Sequence, residues 1–264
     1  MTAEYESLVV FEKDAVVEIR LNRPELLNRF DAQLETELVA ALRAVAADPA
    51  ARVVVLLAEG RAFSAGGDFG LMRQANSDAA VRRAALHRAR DLLNALCHLP
   101  QPLVTGVQGA AIGLGATVPL GGDAVVASRN AVIADPHVAM ALVAGDGGTV
   151  FWPQSAGMLR ARRYLLTGDP LDAATAYEFG LVTDLVDAPG QVAPRAWEIA
   201  AKIASLPPLA VQGTKAALTQ LTRQRAGEVA ETALLAEGDT LASADLIEAI
   251  AAFKDKRPGS YTGR

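Results

Sequence analysis

Two periods of hydrophobic spacing alternate along the first half of the chain. Leu8–Phe11 and Val16–Leu21, the second with polar Glu18 and Arg20 alternating among its apolar residues, flank Lys13-Asp14, which predicts a β-hairpin. From Asp31 the period lengthens. Leu34, Leu38, Leu42 and Val45 recur at helical spacing, behind an aspartate suited to cap the first turn. Val53–Leu57 is apolar at every position, as expected of a strand covered on both faces. Leu103–Val107 predicts a second such strand and Ala124–Ala127 a third. Between them lie a Gly-rich loop over Glu59–Gly70 and a helix over Ala79–Leu96. Arg82, Arg83, Arg88 and Arg90 fall on that helix's expected solvent side. Gly109–Gly115 follows, with a short helix after it.

The last third reads differently. Ala156–Leu166, Asp172–Phe179, Val192–Ser205, Leu209–Thr222 and Glu228–Lys254 are all predicted helices, interrupted by one strand at Val182–Val186. Gly180 stands at a helix C-cap position and Ser243 at the N-cap of the last helix. No Ser/Gly-rich linker separates the halves. The pattern predicts an α/β unit over residues 1–195 with a helical region over 196–264.

Composition narrows the function. At 51% hydrophobic and 21% charged, the 264 residues suit a globular core built mostly from small aliphatic side chains. Twenty-five basic against 30 acidic residues, net −5, provide no general field for nucleic acid or an anionic membrane. An anionic ligand would need a local patch. Cys97 is the lone cysteine, so no intramolecular disulfide and no cysteine-rich metal site is expected. Met1–Asp14 carries Glu4, Glu6, Glu12 and Asp14 without a basic-then-apolar leader, which makes the cytoplasm the expected compartment. Leu92–Gly122 has no formal charge. Its prolines and glycines punctuate it too often for a lipid-facing helix, so it is read as buried strand, turn and helix.

Several phosphate and nucleophile motifs fail on inspection. Gly113-Leu114-Gly115 is followed by Val118 where a dinucleotide fingerprint needs a small residue. No Gly-Lys-Ser/Thr triplet exists. Ser64 is not in a nucleophile elbow, because Ala62 holds the first glycine position. What remains is a pair of loops, Ala62–Asp68 and Gln108–Gly115, each following a buried strand. Both suit tight strand-to-helix turns. Both also suit close backbone approach to a ligand, with freed N–H groups able to hold a developing oxyanion.

Ala62-Phe63-Ser64-Ala65-Gly66-Gly67-Asp68 followed by Gln108-Gly109 through Gly115 resembles the two-part signature of the crotonase, or enoyl-CoA hydratase/isomerase, superfamily. The resemblance runs from Leu21-Asn22-Arg23-Pro24, through Tyr164–Gly168 and Ala176–Val182, to Ala251–Pro258. It implies a ClpP-like α/β fold of repeated β-β-α units with a C-terminal helical trimerisation region. It also implies an acyl-CoA substrate, with coenzyme A as part of that substrate and neither a separate cofactor nor a metal. The chain is expected to form a homotrimer or a dimer of trimers, with no nucleic-acid or membrane partner. By position, the main-chain N–H groups of Gly67 and Leu114 would form the oxyanion hole. Ala65, Gly66, Asp68, Phe69 and Gly70 belong to the binding loop, Arg23 and Leu26 lie toward the nucleotide, and Phe253 and Lys256 reach a neighbouring subunit's CoA site.

The departures bear on the reaction. Hydratases of the family carry glutamates at the positions of Thr117 and His137, because water addition needs one group for the water and one for the α-carbon. Threonine cannot exchange a proton near neutral pH, so Thr117 is either a hydrogen-bonding pocket residue or a plain helix residue. His137, behind Asp135-Pro136, has the chemistry of a proton-transfer group or of a packed imidazole at a strand end. Asp146 is either a cap for the following helix or a carboxylate paired with His137. His137, Asp146 and Trp152-Pro153 also resemble a branch that hydrolyses carbon–carbon bonds in β-diketones, although Leu114 stands where that branch has a further histidine. His87 and His98 are expected on the surface. The expected function is therefore enolate stabilisation at Gly67 and Leu114, with His137 and Asp146 as the acid/base pair. The alternatives are the carbon–carbon hydrolase and a non-catalytic acyl-CoA-binding paralogue.

Overall fold

A computed structural model describes residues 4–264; the first three positions of the expected 1–195 unit lie outside the described residues. Strands β1 (Leu8–Lys13) and β2 (Val16–Leu21) form the expected hairpin. Asp14 and Ala15 both have positive φ, 52° and 64°, as a two-residue turn matched to strand twist requires. Helix α1 (Ala32–Ala46) starts where the sequence placed its cap: the Asp31 side chain accepts from the Leu34 N–H at 3.0 Å.

The chain continues through β3 (Val53–Ala58), α2 (Phe69–Ser77), α3 (Ala79–His98), β4 (Leu103–Val107), β5 (Ala110–Ile112) and α4 (Leu114–Leu120). Then come β6 (Ala124–Ser128), β7 (Val132–Ala134), α5 (Gly148–Ala156), α6 (Met158–Thr167), β8 (Leu171–Asp172) and α7 (Ala173–Phe179). The last elements are β9 (Asp184–Val186), α8 (Val192–Ala204), α9 (Pro208–Leu241) and α10 (Ala244–Asp255). The main sheet has strand order β1-β2-β3-β4-β6-β9 and is parallel from β2 onward. A smaller sheet of order β5-β7-β8 stands beside it.

β3 explains its own sequence. Val54 and Leu56 enter one buried layer with Leu38 and Leu42 of α1 and Leu92 and Leu96 of α3. Val53, Val55 and Leu57 enter another, with Val192, Ala196 and Ala200 of α8. Covered on both sides, the strand has no polar face. The alanines of α8 let that helix lie close, and Gly106 extends the effect: a Cβ there would stand 2.5 Å from Leu57 and 2.7 Å from Val192. The helix that straddles residue 195 thus covers the sheet, while α9 and α10 form the helical end. No helix among the described residues is long and apolar enough to cross a membrane. The uncharged stretch after Leu92 is the end of α3, then β4, β5 and α4, and is largely buried.

Three expectations need correction. Leu209–Thr222 and Glu228–Lys254 are not two helices. α9 runs unbroken to Leu241, because Gly227 is the only breaker between them and an interior glycine costs a helix only about 1 kcal/mol. The true break comes at Ala242-Ser243, where Ser243 caps α10 by accepting from the Leu246 N–H at 3.2 Å. Second, Ala156–Leu166 belongs to two helices separated at Gly157, whose φ of 81° suits glycine. Third, the predicted loop to Gly70 ends earlier. Asp68 caps α2, accepting from Leu71 N–H at 2.7 Å, so Phe69 and Gly70 open a helix.

Candidate active site

Because β3 and β4 are parallel neighbours, the loops leaving their C-terminal ends emerge side by side. The two loops are fastened together. Ser64 N–H donates to Ala110 O (3.0 Å), and Ile112 N–H returns a bond to Ser64 O (3.1 Å). Gln108 Nε2 donates to Ala62 O, and Asn28 Nδ2 reaches Glu59 O and Ala62 O, so the curled backbone is satisfied from beneath. Gly66 has φ 90°, and a Cβ there would meet Ile112 O at 2.9 Å. Gly113, φ 56°, turns the chain into α4.

These loops border a cavity of about 400 Å³. Gly67 and Leu114 both line it, and their N–H groups meet no acceptor among the described residues. Leu114 is the first residue of α4, so the helix dipole adds positive potential at its N–H. Across the cavity wall, His137 Cε1 would lie 3.5 Å from a Cβ on Gly113.

His137 and Asp146 meet. His137 Nε2 lies 3.2 Å from Asp146 Oδ2, and His137 Nδ1 hydrogen-bonds Asp135 Oδ1. Asp146 Oδ1 accepts from Thr117 Oγ1 at 3.2 Å. All four side chains are buried, with His137 9% and Asp146 5% exposed. Burial would depress the imidazole pKa, but the carboxylates on its two nitrogens overcome that and hold it well above the ordinary range. Burial likewise opposes ionisation of Asp146, yet His137 and Thr117 hold its carboxyl below the usual range. The favoured state is an imidazolium between two carboxylates.

A pH dependence of stability follows. The depressed Asp146 contributes stability that is complete above its ordinary value of roughly 4 and lost as pH falls through its folded value. The raised His137 contributes stability complete below roughly 6.5 and lost as pH rises through its folded value. In thermal melts, the Tm difference between wild type and His137→Gln is expected to be largest between about pH 4 and 6.5 and to narrow on both sides. A difference that does not vary with pH would contradict the ion pair.

Two ionisable residues on the cavity wall went unnoticed in the sequence. Glu35 of α1 is 8% exposed and pairs with Arg88 Nε at 2.8 Å. Burial still pushes its carboxyl up to about 7, against the pull of Arg88. Arg88 therefore faces inward, contrary to its expected solvent position. Glu237 of α9 is 9% exposed, and burial together with Asp146 pushes it up to about 8. A signal for both existed. Glu35 shares a helical stripe with buried Val39 and Leu42, and Glu237 with buried Ala233, Leu234 and Leu241.

The other expected site residues divide. Ala65, Gly66, Asp68 and Phe69 line the cavity with Gly67; Gly70 does not. Ala65 N–H donates to Leu27 O, and Asp68 pairs with Arg29 at 2.8 Å while capping α2, so Asp68 fixes the loop. Arg23 and Leu26 are not brought to the cavity. The Arg23 guanidinium is engaged by Asp31 at 2.7 and 2.8 Å, bracing the start of α1. Phe253 lines the cavity of its own chain, edge-on to Phe69 with centroids 5.4 Å apart, whereas Lys256 is exposed at the end of α10 outside it. Thr117 is fully buried behind Asp146 and outside the cavity wall, where it acts as a hydrogen-bonding residue. His87 and His98 are exposed as expected. Cys97 is buried, and burial pushes its thiol up to about 11, far from a thiolate nucleophile.

Comparison with known proteins agrees with this architecture. A family model described as Enoyl-CoA hydratase/isomerase matches residues 12–264. The chain is 33% identical to a 1,2-epoxyphenylacetyl-CoA isomerase of Escherichia coli, over 94% of its length and 95% of that protein's. It is 35% identical to a 2,3-dehydroadipyl-CoA hydratase of the same organism, over 97% and 99%. A crystal structure of an enoyl-CoA hydratase/isomerase from Mycobacterium paratuberculosis superposes with a TM-score of 0.89 at 35% identity, covering 93% of this chain and 97% of that one. With its loop pair, its sheet order and a match across nearly its whole length, the chain belongs to the enoyl-CoA hydratase/isomerase family of the crotonase superfamily.

Proposed function

We propose that the protein moves a proton on the acyl chain of a CoA thioester, shifting a double bond through an enolate rather than adding water. The observation that carries this reading is the single acid/base assembly facing two free N–H groups. Gly67 and Leu114 would hold the thioester oxygen as negative charge grows on it, an interaction stronger in the transition state than in the ground state. Asp146, kept ionised by His137, would take the proton from the α-carbon and return it further along the chain. Water addition needs a second, independent group, and the two family glutamate positions here, Thr117 and His137, both serve Asp146.

Cation–carboxylate pairing at 3.2 Å also favours a second reading, hydrolysis of a carbon–carbon bond in a β-diketone, with Asp146 and His137 activating water. One substrate comparison separates the two. Turnover of a 3-enoyl-CoA to the 2-enoyl isomer is expected to exceed hydration of crotonyl-CoA by at least ~10²-fold. Crotonyl-CoA hydration as fast as isomerisation would sink the proposal, and cleavage of a β-diketone in place of either would select the second reading. Assembly as a homotrimer or dimer of trimers belongs to the same proposal and is supported by exposed Leu209, Leu218, Leu221 and Leu235 along α9.

A further inference from the structure

The acid/base assembly does not account for every polar group that the cavity holds. Glu237 lines it, is 91% buried by its 9% exposure, and its Oε2 has no hydrogen-bond partner. The carboxyl is pressed against the turn that carries Asp146, because a Cβ on Gly145 would stand 2.6 Å from Glu237 Oε2. Opposite, Glu35 lines the same cavity, and Arg88, which pairs with it, has a buried Nη2 that also lacks a partner. Buried polar atoms without partners are destabilising, and a helix facing a hydrocarbon chain would be more stable with leucine there. Of these two residues, Glu237 lines the cavity and Arg88 does not, so the Glu237 carboxyl, whose Oε2 has no hydrogen-bond partner among the described residues, is the group that a ligand would meet.

We propose that the cavity takes an acyl group bearing a neutral oxygen, a ketone or hydroxyl, beyond the thioester carbonyl, and that Glu237 is the side chain that hydrogen-bonds to it. This rests on the acyl-CoA reading above and names the substrate class of the same site. Glu237 faces Asp146 and His137, then Asp135 and Glu35, a surrounding with more carboxylates than cations. In that field a carboxyl keeps its proton near neutral pH and offers an O–H donor to a ketone. The same surrounding disfavours an acyl group with a second carboxylate, which would enter as one more negative charge beside Asp135 and Asp146; Arg257, a cation that lines the same cavity, is already held by Glu248. Phe69, Met72, Leu86 and Leu142 supply the apolar remainder of the wall.

Calorimetric titration of the full-length protein with a matched set of thioesters tests this: hexanoyl-CoA, 4-oxohexanoyl-CoA, 5-oxohexanoyl-CoA and the dicarboxylic adipyl-CoA. At least one oxo ester is expected to bind about five- to tenfold more tightly than hexanoyl-CoA, as one neutral buried hydrogen bond allows. Adipyl-CoA is expected to bind more weakly than hexanoyl-CoA. Glu237→Leu should erase the oxo preference while hexanoyl-CoA binds at least as well as before. Glu237→Gln, which keeps a neutral donor of the same shape, should retain the preference. Equal affinity for hexanoyl-CoA and both oxo esters, a preference unchanged in Glu237→Leu, or tightest binding of adipyl-CoA would each overturn the assignment. Binding of none of the four would instead overturn the acyl-CoA reading on which it stands.

Discussion

Asp146→Asn is expected to lower kcat for double-bond migration by about 10³-fold while changing KM little. The amide keeps the shape and can still accept from Thr117, so the fold around it persists. What it loses is the capacity to hold a proton, and Glu35, the remaining acid on the cavity wall beside Glu237 and Asp68, is paired with Arg88 on another helix and does not touch His137. His137 is an imidazolium and cannot act as a base, and Glu237 already carries its proton near neutral pH. Steady-state kinetics with a 3-enoyl-CoA decide the matter. A kcat within tenfold of wild type would remove Asp146 from the chemistry. A rise in KM alone would make it a binding residue.

The second large effect belongs to a main-chain atom. Leu114→Pro removes one N–H from the cavity, and it does so at the first position of α4, where proline is tolerated and the N–H has no helical acceptor. The preceding Gly113 gives the backbone room to adjust. The expected cost is about 10²-fold in kcat, as for removal of one oxyanion-hole donor. Leu114→Ala keeps the N–H and is expected to stay within a few-fold of wild type. If the two variants behave alike, side-chain packing at position 114 matters and the donor does not.

How much of this was legible in the sequence depends on whether a feature is local. The Asp31 cap, the first hairpin and the all-apolar β3 each follow from a few adjacent residues and stand in the structure, with the hairpin's turn one residue later than Lys13-Asp14, at Asp14-Ala15. Loop pairing was legible as motif but not as contact. That Ser64 and Ala111 bridge follows from strand order, which places β3 beside β4. Helix length was misread between Thr222 and Glu228, because scattered interior glycines such as Gly227 do not outweigh more than thirty residues of cooperative helix. The buried acids were missed for a related reason. Charged residues on amphipathic helices are normally solvated, so Arg88 was placed outward and Glu35 and Glu237 drew no notice. Each acid's own helical stripe marked an inward face, but that α1, α3 and α9 converge on one cavity is recorded in no single helix. Likewise, no local signal showed that Asp31, eight residues on, holds the Arg23 guanidinium.

Deuterium incorporation tests enolate formation most directly. A 3-enoyl-CoA incubated with the enzyme in D2O should exchange its α-proton, followed by NMR, in wild type, Asp146→Asn and Leu114→Pro. Fast exchange in the wild type, with slowing of about 10³-fold in the first variant and 10²-fold in the second, is the expected result. A wild-type enzyme that binds the thioester but exchanges no α-proton would contradict a Gly67–Leu114 enolate site.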